Sequence, residues 1–421
     1  MFKKSPWSWI PTLYFAEGIP YVVINTSVLT VMYQDFGLSN AENTFLTSWL
    51  YLPWVIKPLW SPFVDIIKTK RWWIITMQLI LGIGFASVAF LLPTSIYFQT
   101  TLAIFWFMAF SSATHDIAAD GFYMMGLNDG EQSYFIGIRN TFYRCATAFG
   151  EGVLLIAAGY FEIHTKSISL SWSIVFFILS AIFLGTFLYH RIILPKPNSD
   201  IANTSKSAKD IFREFINTFE TFFEKKEIVV TVAFILLYRL GEAFLVKITP
   251  LFLKDLREVG GLGFSKTEIG EFRIWGIVAL TIGGILGGIA VSRKGLKFWL
   301  WIMALCITLP HLAFVYLSYF QPTNYLLIGS AIAFEQFGYG FSLTSFFLYM
   351  IYFSEGEYKT AHYAICTGFM AAGMFLPGML TGKLQELWGY YHFFLFVMLC
   401  AIPTLAVIPF LKIDKNFGKE R

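Results

Sequence analysis

Residues 195–210 read PKPNSDIANTSKSAKD, and this polar stretch decides how the rest of the chain is organised. It is followed at 211–226 by IFREFINTFETFFEKK, in which apolar residues recur at helical spacing: Ile211, Phe215, Phe219 and Phe222 or Phe223. This pattern predicts a flexible linker that leads into an amphipathic helix. Because the chain is strongly apolar on both sides of residues 195–227, the segment divides it into two halves.

The composition of the 421-residue chain argues against a soluble protein. Apolar residues make up 56% of it and charged residues only 14%, and the mean hydropathy is +0.61. A soluble domain draws about 25% of its residues from Asp, Glu, Lys and Arg, so this chain has too few charges to cover its surface and must face lipid. The net charge of +4 is too weak to indicate a nucleic-acid partner.

Twelve apolar runs have the length of a membrane-spanning helix, which needs about 20 residues. Six precede the polar segment and six follow it. Their predicted bounds are 7–34, 43–66, 72–92, 99–127, 132–160, 170–194, 228–254, 265–291, 297–319, 323–352, 358–386 and 390–412. The sequence therefore predicts an all-α membrane protein with twelve transmembrane helices in two six-helix bundles, residues 1–194 and 228–421, joined by the linker at 195–227.

Positive charge is unevenly divided between the two sides that alternating spans define. With the N-terminus inside, the inner segments carry 20 Lys and Arg residues and the outer segments carry 5. Because positive residues accumulate in cytoplasmic loops, both termini and the linker are predicted to be cytoplasmic. The first apolar stretch lacks a small-residue cleavage site, so we expect it to be a membrane helix and not a removed signal peptide.

A weak internal repeat relates the two halves. YQDFGLS at 33–39 is echoed by LKDL at 253–256 and GLGFS at 261–265, and Trp49 corresponds to Trp275. From Ser39 onward, the residue numbers of corresponding positions in the two halves differ by about 226 or 227. Two parallel six-helix repeats with a central cavity between them resemble the architecture of the major facilitator superfamily.

Acidic side chains within the predicted spans of the first half are the leading candidates for function. A charge at the bilayer centre costs several kcal/mol unless it is paired or faces water. We expect Gly18 and Pro20 to weaken the backbone hydrogen bonds of the first helix, which would leave it half-broken and let Glu17 face the cavity. Asp116 and Asp120 lie one turn apart on one helix face, so their repulsion favours a bound proton. The three acids are predicted to form a proton-coupling site, and pairing of Glu17 with a neighbouring helix is the alternative.

Two basic residues of the first half are candidate substrate-binding residues. Lys57 lies about 12 Å inside the cytoplasmic end of its helix, which is too deep for its ammonium to reach water easily. Arg144 carries a guanidinium suited to holding a carboxylate or phosphate through two hydrogen bonds. Arg144 could instead pair with Asp116 or Asp120, and the sequence leaves both possibilities open.

Five polar residues of the second half complete the predicted substrate-binding set: Arg239, Glu242, Glu335, Gln336 and Tyr339. Their carboxyl, amide and hydroxyl groups could bond to a sugar or a peptide. Arg239 and Glu242 are three residues apart and could simply pair along one helix. Pairing of Glu335 with Arg239 is a further alternative.

The loop between helices two and three reads SPFVDIIKTKR at 61–71. It resembles the loop signature of the major facilitator superfamily, with Ser61 in place of glycine and Asp65 in the acidic position. Such a carboxylate can accept bonds from a helix N-terminus in one conformation and release them in another. We therefore predict a conformational latch formed by Asp65, Lys70 and Arg71.

Signals for other chemistry are weak throughout the sequence. The four cysteines lie in apolar runs without a CxxC pair, and His115 points away from Asp116 around its helix, so we expect neither a disulfide framework nor a metal site. No glycine-rich loop follows a predicted strand and no nucleophile–base pair stands out. We expect no cofactor and no enzymatic activity, and a non-transporting membrane receptor or enzyme is the alternative outside transport.

Several stretches resemble one family in particular. LYFAEGIP at 13–20, LPWVIKPLWSPFVD at 52–65 and SSATHDIAADGFYM at 111–124 resemble the AmpG-type muropeptide permeases and their relatives, the acetyl-CoA transporters. GIRNTFYRCATAFG at 137–150 is similar to a Tyr-Arg segment of that family, and YRLGEAF at 238–244 carries the weaker likeness of the second half. The positions that match charged residues of the family motifs are Lys57, Asp116, Asp120 and Arg144.

The resemblance implies proton-driven import of anhydromuropeptides, the sugar-peptides released from the cell wall, across a bacterial inner membrane by alternating access. A carrier of acetyl-CoA or another anionic metabolite is the alternative within transport, in which Lys57, Arg144 and Arg239 would bind phosphates. The expected partners are a small-molecule substrate, protons and the lipid bilayer, with no nucleic acid, and we expect a monomer.

Overall fold

The computed structural model describes residues 5–127, 129–197, 200, 208–356 and 359–419. All regular secondary structure in these residues is helical. The α-helices, numbered in chain order, are α1 (Ile10–Asn25), α2 (Ser27–Asp35), α3 (Asn40–Trp49), α4 (Leu52–Ile67), α5 (Lys70–Leu91), α6 (Tyr97–Gly126), α7 (Asp129–Ala148), α8 (Leu154–Thr165), α9 (Ile168–Ile193), α10 (Ala208–Phe223), α11 (Ile228–Leu237), α12 (Leu240–Lys254), α13 (Lys266–Lys294), α14 (Leu296–Thr308), α15 (Leu312–Phe320), α16 (Tyr325–Ser354), α17 (Lys359–Leu399) and α18 (Ala401–Val407).

These helices make up the predicted twelve membrane crossings. Nine helical stretches among the described residues are long and apolar enough to span a bilayer. One of them, Ala361–Phe410, is long enough for two crossings and turns at Gly389, whose φ of 71° only glycine adopts easily. The pair α3–α4 and the helix α16 supply the two remaining crossings. The prediction of an all-α protein with twelve spans is confirmed.

The first membrane helix is interrupted at a different place from the one predicted. Helix α1 continues through Gly18 and Pro20 and ends at Asn25, and Thr26 adopts a non-helical conformation with φ −118° and ψ −148°. Gly18 acts in packing instead, because a Cβ at this position would lie 2.8 Å from the Cβ of Ala146 in α7. The predicted break at Gly18 and Pro20 is therefore wrong: one proline removes a single backbone donor, and the surrounding turns keep the helix intact.

The internal repeat has a structural counterpart at two helix starts. Ser39 caps α3 and accepts a bond from the backbone N–H of Glu42, whose carboxylate accepts from the backbone N–H of Ser39. Ser265 and Glu268 form the same reciprocal capping box at the start of α13. A capping box satisfies two otherwise unpaired helix donors, so the two repeats share both sequence and local geometry here.

The chain divides into two compact units that differ from the two halves of the sequence. The first unit comprises Met1–Met32 and Ile56–Arg213, and the second comprises Tyr33–Val55 and Glu214–Arg421. Each has its own apolar core: one forms around Trp9, Leu13 and Phe122, and the other around Phe234, Tyr238 and Phe346, to name three members of each. The predicted domain boundaries at 194 and 228 remain a prediction.

The linker helix is present as predicted. Helix α10 covers most of the amphipathic stretch, and its Phe222 is fully buried in the core of the second unit with Phe219 packed alongside. The side chains of Ile211 and Phe215 lie outside the described residues. At the C-terminal end of α10, Phe222 and Phe219 therefore pack on protein, whereas Phe223 is exposed.

Candidate functional site

Three acidic side chains meet inside the first unit. Glu17 comes from α1, while Asp116 and Asp120 come from successive turns of α6. One carboxylate oxygen from each lies within 4.8 Å of the others. Oε2 of Glu17 is buried without a hydrogen-bond partner among the described residues. The structure thus brings together the three residues that the sequence predicts to couple protons, and we call them the acidic cluster.

Two basic side chains neutralise two of these acids. The ammonium of Lys57 in α4 forms an ion pair with Asp116, and the guanidinium of Arg139 in α7 lies 2.5 Å from Oδ1 of Asp120. The sequence offers Arg144 as the possible partner of either aspartate, whereas the ion pairs found among the described residues are with Lys57 and Arg139. Lys57 and Arg139 therefore take the charge-pairing role for which the sequence analysis considers Arg144.

Arg139 is held in place by two aromatic rings. Its guanidinium lies 4.4 Å from the ring centroid of Tyr14 and 5.6 Å from that of Tyr123. Such contacts stabilise a cation that has left water. Arg139 is the functional candidate that the sequence analysis missed in this half, because spacing along α7 carries no information about which residue faces α6.

The acidic cluster has a charge imbalance of one. With all groups ionised, Glu17, Asp116 and Asp120 carry three negative charges, and Lys57 and Arg139 carry two positive charges. One bound proton makes the group neutral. Because an uncompensated charge that is partly removed from water carries a desolvation cost, a single proton changes the energy of the group.

A separate polar chain lies on the other side of α6. His115 bonds to Gln78 over 3.0 Å, Gln78 bonds to His190 over 2.9 Å, and His190 bonds to Thr12 over 2.9 Å. The chain joins α1, α5, α6 and α9 within the first unit. As expected from its position around the helix, His115 belongs to this packing network and not to the acidic cluster.

The predicted substrate-binding residues of the second half form two side-chain contacts with one another, one between Arg239 and Tyr339 and one between Gln336 and Glu335. Arg239 lies at the junction between α11 and α12, and its guanidinium bonds to the Tyr339 hydroxyl while lying 5.2 Å from the ring centroid. Gln336 donates a hydrogen bond of 2.9 Å to Oε2 of Glu335. Glu242 and Glu335 both face His311, whose Nε2 lies 3.8 and 4.0 Å from their carboxylate oxygens.

The predicted latch is only partly visible. Asp65 belongs to α4, but its side chain lies outside the described residues. The backbone N–H groups of Lys70 and Arg71, at the start of α5, donate to the carboxylate of Asp200 over 2.7 and 3.0 Å. Asp200 comes from the linker, so a carboxylate does bind the helix start, as the loop signature suggests, but from a residue that the sequence analysis did not single out.

A second charged group, also absent from the sequence-based candidates, lies in the second unit. Asp35 is almost fully buried and its carboxylate lies 2.6 Å from the ammonium groups of both Lys254 and Lys266. The neighbouring Asp255 accepts bonds from three side chains of the same unit: Gln34, Asn40 and Tyr390. We call this set the Asp35 cluster; it fastens residues 33–55 to helices of the second half.

The sequence as a whole matches a known family. The model of the Major Facilitator Superfamily aligns with residues 12–379. The chain belongs to the major facilitator superfamily. It is accordingly a transporter with a multi-pass membrane fold, which confirms the expected architecture, and its assignment as a transporter and not an enzyme follows from the family.

Curated relatives of this major facilitator carry permease and transporter names. A Rickettsia conorii transporter named AmpG 4 is 27% identical over 99% of this chain and 99% of its own length. The anhydromuropeptide permease of Escherichia coli K12 is 24% identical over 97% of this chain and 80% of its own length. The predicted resemblance to AmpG-type permeases is therefore confirmed along the full chain, including the second half.

Solved structures of other major facilitators share the fold. The crystal structure of a D-xylose–proton symporter superposes with a TM-score of 0.73 at 13% identity, covering 98% of each chain. The nucleoside transporter NupG gives 0.73 at 14% identity, covering 96% of this chain and 98% of its own. At such identities the likeness establishes the fold and carries no information about substrate.

Proposed function

We propose that this major facilitator is a proton-coupled importer of anhydromuropeptides that works by alternating access. It would reside in a bacterial inner membrane as a monomer, with both termini in the cytoplasm. The name of the Escherichia coli relative supports the substrate class, and the 20 to 5 distribution of basic residues supports the orientation. The observation that carries proton coupling is the acidic cluster with its single unbalanced charge.

The acidic cluster gives the coupling a physical basis. Loading one proton neutralises the buried group and lowers the cost of moving it between environments. Releasing the proton restores a net negative charge. A substrate that binds only the protonated form therefore moves with the proton gradient, because the two ligands then stabilise the same state.

The candidate substrate-binding residues match the chemistry of a sugar-peptide. A muropeptide offers peptide carboxylates, amides and sugar hydroxyls. Arg144 and Arg239 can hold carboxylates through paired hydrogen bonds, and Gln336 and Tyr339 supply neutral donors and acceptors. An acetyl-CoA carrier would use the same cations for phosphates, so direct competition between the two substrate classes is the decisive measurement.

Uptake into proteoliposomes tests the proposal. We expect radiolabelled anhydromuropeptide to accumulate only when the outside is more acidic than the inside, and a protonophore to abolish the accumulation. Excess unlabelled anhydromuropeptide should compete, and acetyl-CoA should not. Uptake that ignores the protonophore would refute coupling, while competition by acetyl-CoA alone would favour the anionic-metabolite carrier.

The Asp35 cluster leads to a conformational prediction. In the proposed orientation it lies at the outer end of the protein, where it would hold a state closed to the outside. Asp35→Asn removes the carboxylate from between Lys254 and Lys266 and leaves the two ammonium groups facing each other. A hydrogen bond to a charged group contributes about 1.5–3 kcal/mol, so the closed state should lose about 2 kcal/mol.

The rate of thiol labelling measures how much the closed state is destabilised by Asp35→Asn. Thr44 is fully buried and its hydroxyl accepts a 2.9 Å bond from the backbone N–H of Gly382 in the same unit. In a background without native cysteines, Thr44→Cys should react with an external, membrane-impermeant maleimide about tenfold faster, or more, once Asp35→Asn is added. The exposed Glu258 supplies the control, and Glu258→Gln should leave the rate unchanged. Equal rates in all three proteins would show that the cluster does not hold this end closed.

A further inference from the structure

Three ionisable side chains meet in the interior of the second unit. Glu242 comes from α12, Glu335 from α16, and His311 from the 3₁₀ turn Leu309–His311 between α14 and α15. Their relative exposures are 1%, 2% and 2%. One ligand atom from each lies within 4.8 Å of the other two. Three separate membrane helices thus bring two acids and an imidazole to one dry point.

The facing atoms of this triad have no hydrogen-bond partners among the described residues. They are Oε2 of Glu242, Oε1 of Glu335 and Nε2 of His311. The imidazole nitrogen lies 3.8 Å from the Glu242 oxygen and 4.0 Å from the Glu335 oxygen, and both distances exceed the range of a hydrogen bond. Leaving a buried polar group unsatisfied costs about 1–3 kcal/mol, and more when it is charged, so a hydrogen bond formed among the three facing atoms would remove a substantial cost.

The surrounding residues hold the three groups in this orientation. The amide of Gln336 binds the other carboxylate oxygen of Glu335, which leaves Oε1 directed inward. The imidazole of His311 lies against Gly241, where a Cβ would come within 2.8 Å of its Cε1 and 3.0 Å of its Nδ1. Any larger residue at position 241 would displace the ring. The packing of these neighbouring residues therefore holds the three facing atoms close together.

The charged neighbours act unequally on the two acids. Arg239, at the start of α12, and Arg273, in α13, are the guanidinium groups whose charge acts on Glu242. Glu335 instead faces the Glu242 carboxylate and the His311 imidazole. The two carboxylate oxygens lie within 4.8 Å of each other, and two charges at that separation repel by roughly 3.5 kcal/mol at an effective dielectric constant of 20. A proton on either acid removes this repulsion, but the two guanidinium charges favour an ionised Glu242, so Glu335 is the better position for the proton.

We propose that Glu242, Glu335 and His311 form a second proton-binding site, in which the two carboxyl groups share one proton carried mainly by Glu335. The site is distinct from the acidic cluster, because its acids lie in the other unit. In the protonated state the Glu335 hydroxyl donates toward the Glu242 carboxylate, whose charge is balanced by the two guanidinium groups.

Geometry favours a proton over a metal ion. Zinc bound at 2.0–2.1 Å in a tetrahedral site places its ligand atoms about 3.3 Å apart, which is closer than the 3.8 and 4.0 Å found here. A metal ion would also need a further ligand and would have to shed its water shell to enter. A proton needs neither, and it satisfies two buried carboxyl groups at once.

The site lies beside a residue that we propose to bind substrate. Glu335 and Tyr339 are four residues apart on α16, and Tyr339 bonds to Arg239. Loss of the shared proton would therefore increase the negative charge near the Arg239 guanidinium. This functional link rests on the proposed function, whereas the protonation itself does not.

Infrared spectroscopy of the purified full-length protein tests the proposal without any transport measurement. A protonated carboxyl group has a C=O stretching band separate from the carboxylate bands, and this band shifts in D₂O. We expect the wild-type protein to show it at neutral pH and Glu242→Gln/Glu335→Gln to lose one carboxyl equivalent of it. Glu17→Gln is the matched control for the acidic cluster and should keep the contribution of the second unit.

Three outcomes would overturn the proposal. A wild-type spectrum at neutral pH without a protonated-carboxyl band excludes the shared proton even if the double variant fails to fold. A band of equal size in the wild-type protein and the double variant assigns the proton elsewhere. Loss of the wild-type band on addition of Zn²⁺, with retention of the metal after gel filtration, would show a metal site instead.

Discussion

Glu17→Gln should uncouple transport from the proton gradient while leaving the transporter able to move its substrate. Among the residues that the structure describes, Glu17 is the acid of the cluster that forms no ion pair, since Lys57 pairs with Asp116 and Arg139 with Asp120. Glutamine keeps the shape of the protonated acid and leaves two negative and two positive charges. The group is then permanently neutral, as in the proton-loaded state of the wild-type protein.

The size of this effect follows from the gradient. One pH unit is equivalent to about 1.4 kcal/mol per proton, which supports about tenfold accumulation by a transporter that moves one proton. We expect wild-type proteoliposomes to approach this ratio and Glu17→Gln to equilibrate the substrate without accumulating it. Exchange of external for internal substrate, which needs no gradient, should continue at a comparable rate in both proteins.

A glutamate elsewhere in the same unit provides the control. Glu162 belongs to α8 and lies outside the acidic cluster, so Glu162→Gln should accumulate substrate like the wild-type protein. If Glu17→Gln also accumulated it tenfold, the unpaired acid would not be the coupling group. If it lost exchange as well, Glu17 would be needed for substrate movement itself.

Breaking the pair between Lys57 and Asp116 should have the largest effect on stability. Removing one member of a buried ion pair costs about 3–5 kcal/mol, because the other charge is left in a poorly solvating environment. The two side chains retain 27% and 21% of their exposure, so we expect the lower end of this range, about 3 kcal/mol, for Asp116→Asn. Lys57→Met should cost at least as much, since it leaves Asp116 beside Glu17 and Asp120.

A double-mutant cycle isolates the pair. Because Lys57→Met/Asp116→Asn removes both charges, its free energy of unfolding should lie within about 1 kcal/mol of the wild-type value. Reversible unfolding in mixed micelles gives the four free energies. The pair of Lys412 and Glu227 serves as the comparison, since Lys412 is 81% exposed and such pairs couple by less than about 1 kcal/mol. A similarly small coupling for Lys57 and Asp116 would contradict a buried pair.

Local sequence patterns were sufficient to predict the helices. The predicted spans at 99–127 and 170–194 agree closely with Tyr97–Gly126 and Ile168–Ile193, because an apolar run of bilayer length has few alternatives to a helix. The acidic cluster was also predictable in part. Asp116 and Asp120 share a helix face by spacing alone, and Glu17 is conspicuous as an acid in an apolar span.

The partners of these residues could not be read from the sequence. Asp35 and Lys266 are separated by 231 positions, and Arg139 reaches Asp120 only because α6 and α7 both pack against α1. His311 has no local feature that distinguishes it from a packing histidine such as His115. Pairing across helices depends on rotation and register, which apolar periodicity leaves undetermined. The interruption of the first helix at Thr26 is similarly hidden, since no glycine or proline marks it.

The position of the Asp200 carboxylate determines where the protein can be divided into two fragments. Because it caps the start of α5, the first part of the linker belongs structurally to the N-terminal portion of the chain. If the protein is expressed as two fragments divided between residues 201 and 207, this cap stays on the N-terminal fragment and α10 stays on the C-terminal fragment. Complementary fragments separated there keep both features, whereas a cut before residue 200 removes the carboxylate and leaves the start of α5 with the Thr69 hydroxyl, which accepts from the backbone N–H of Trp72.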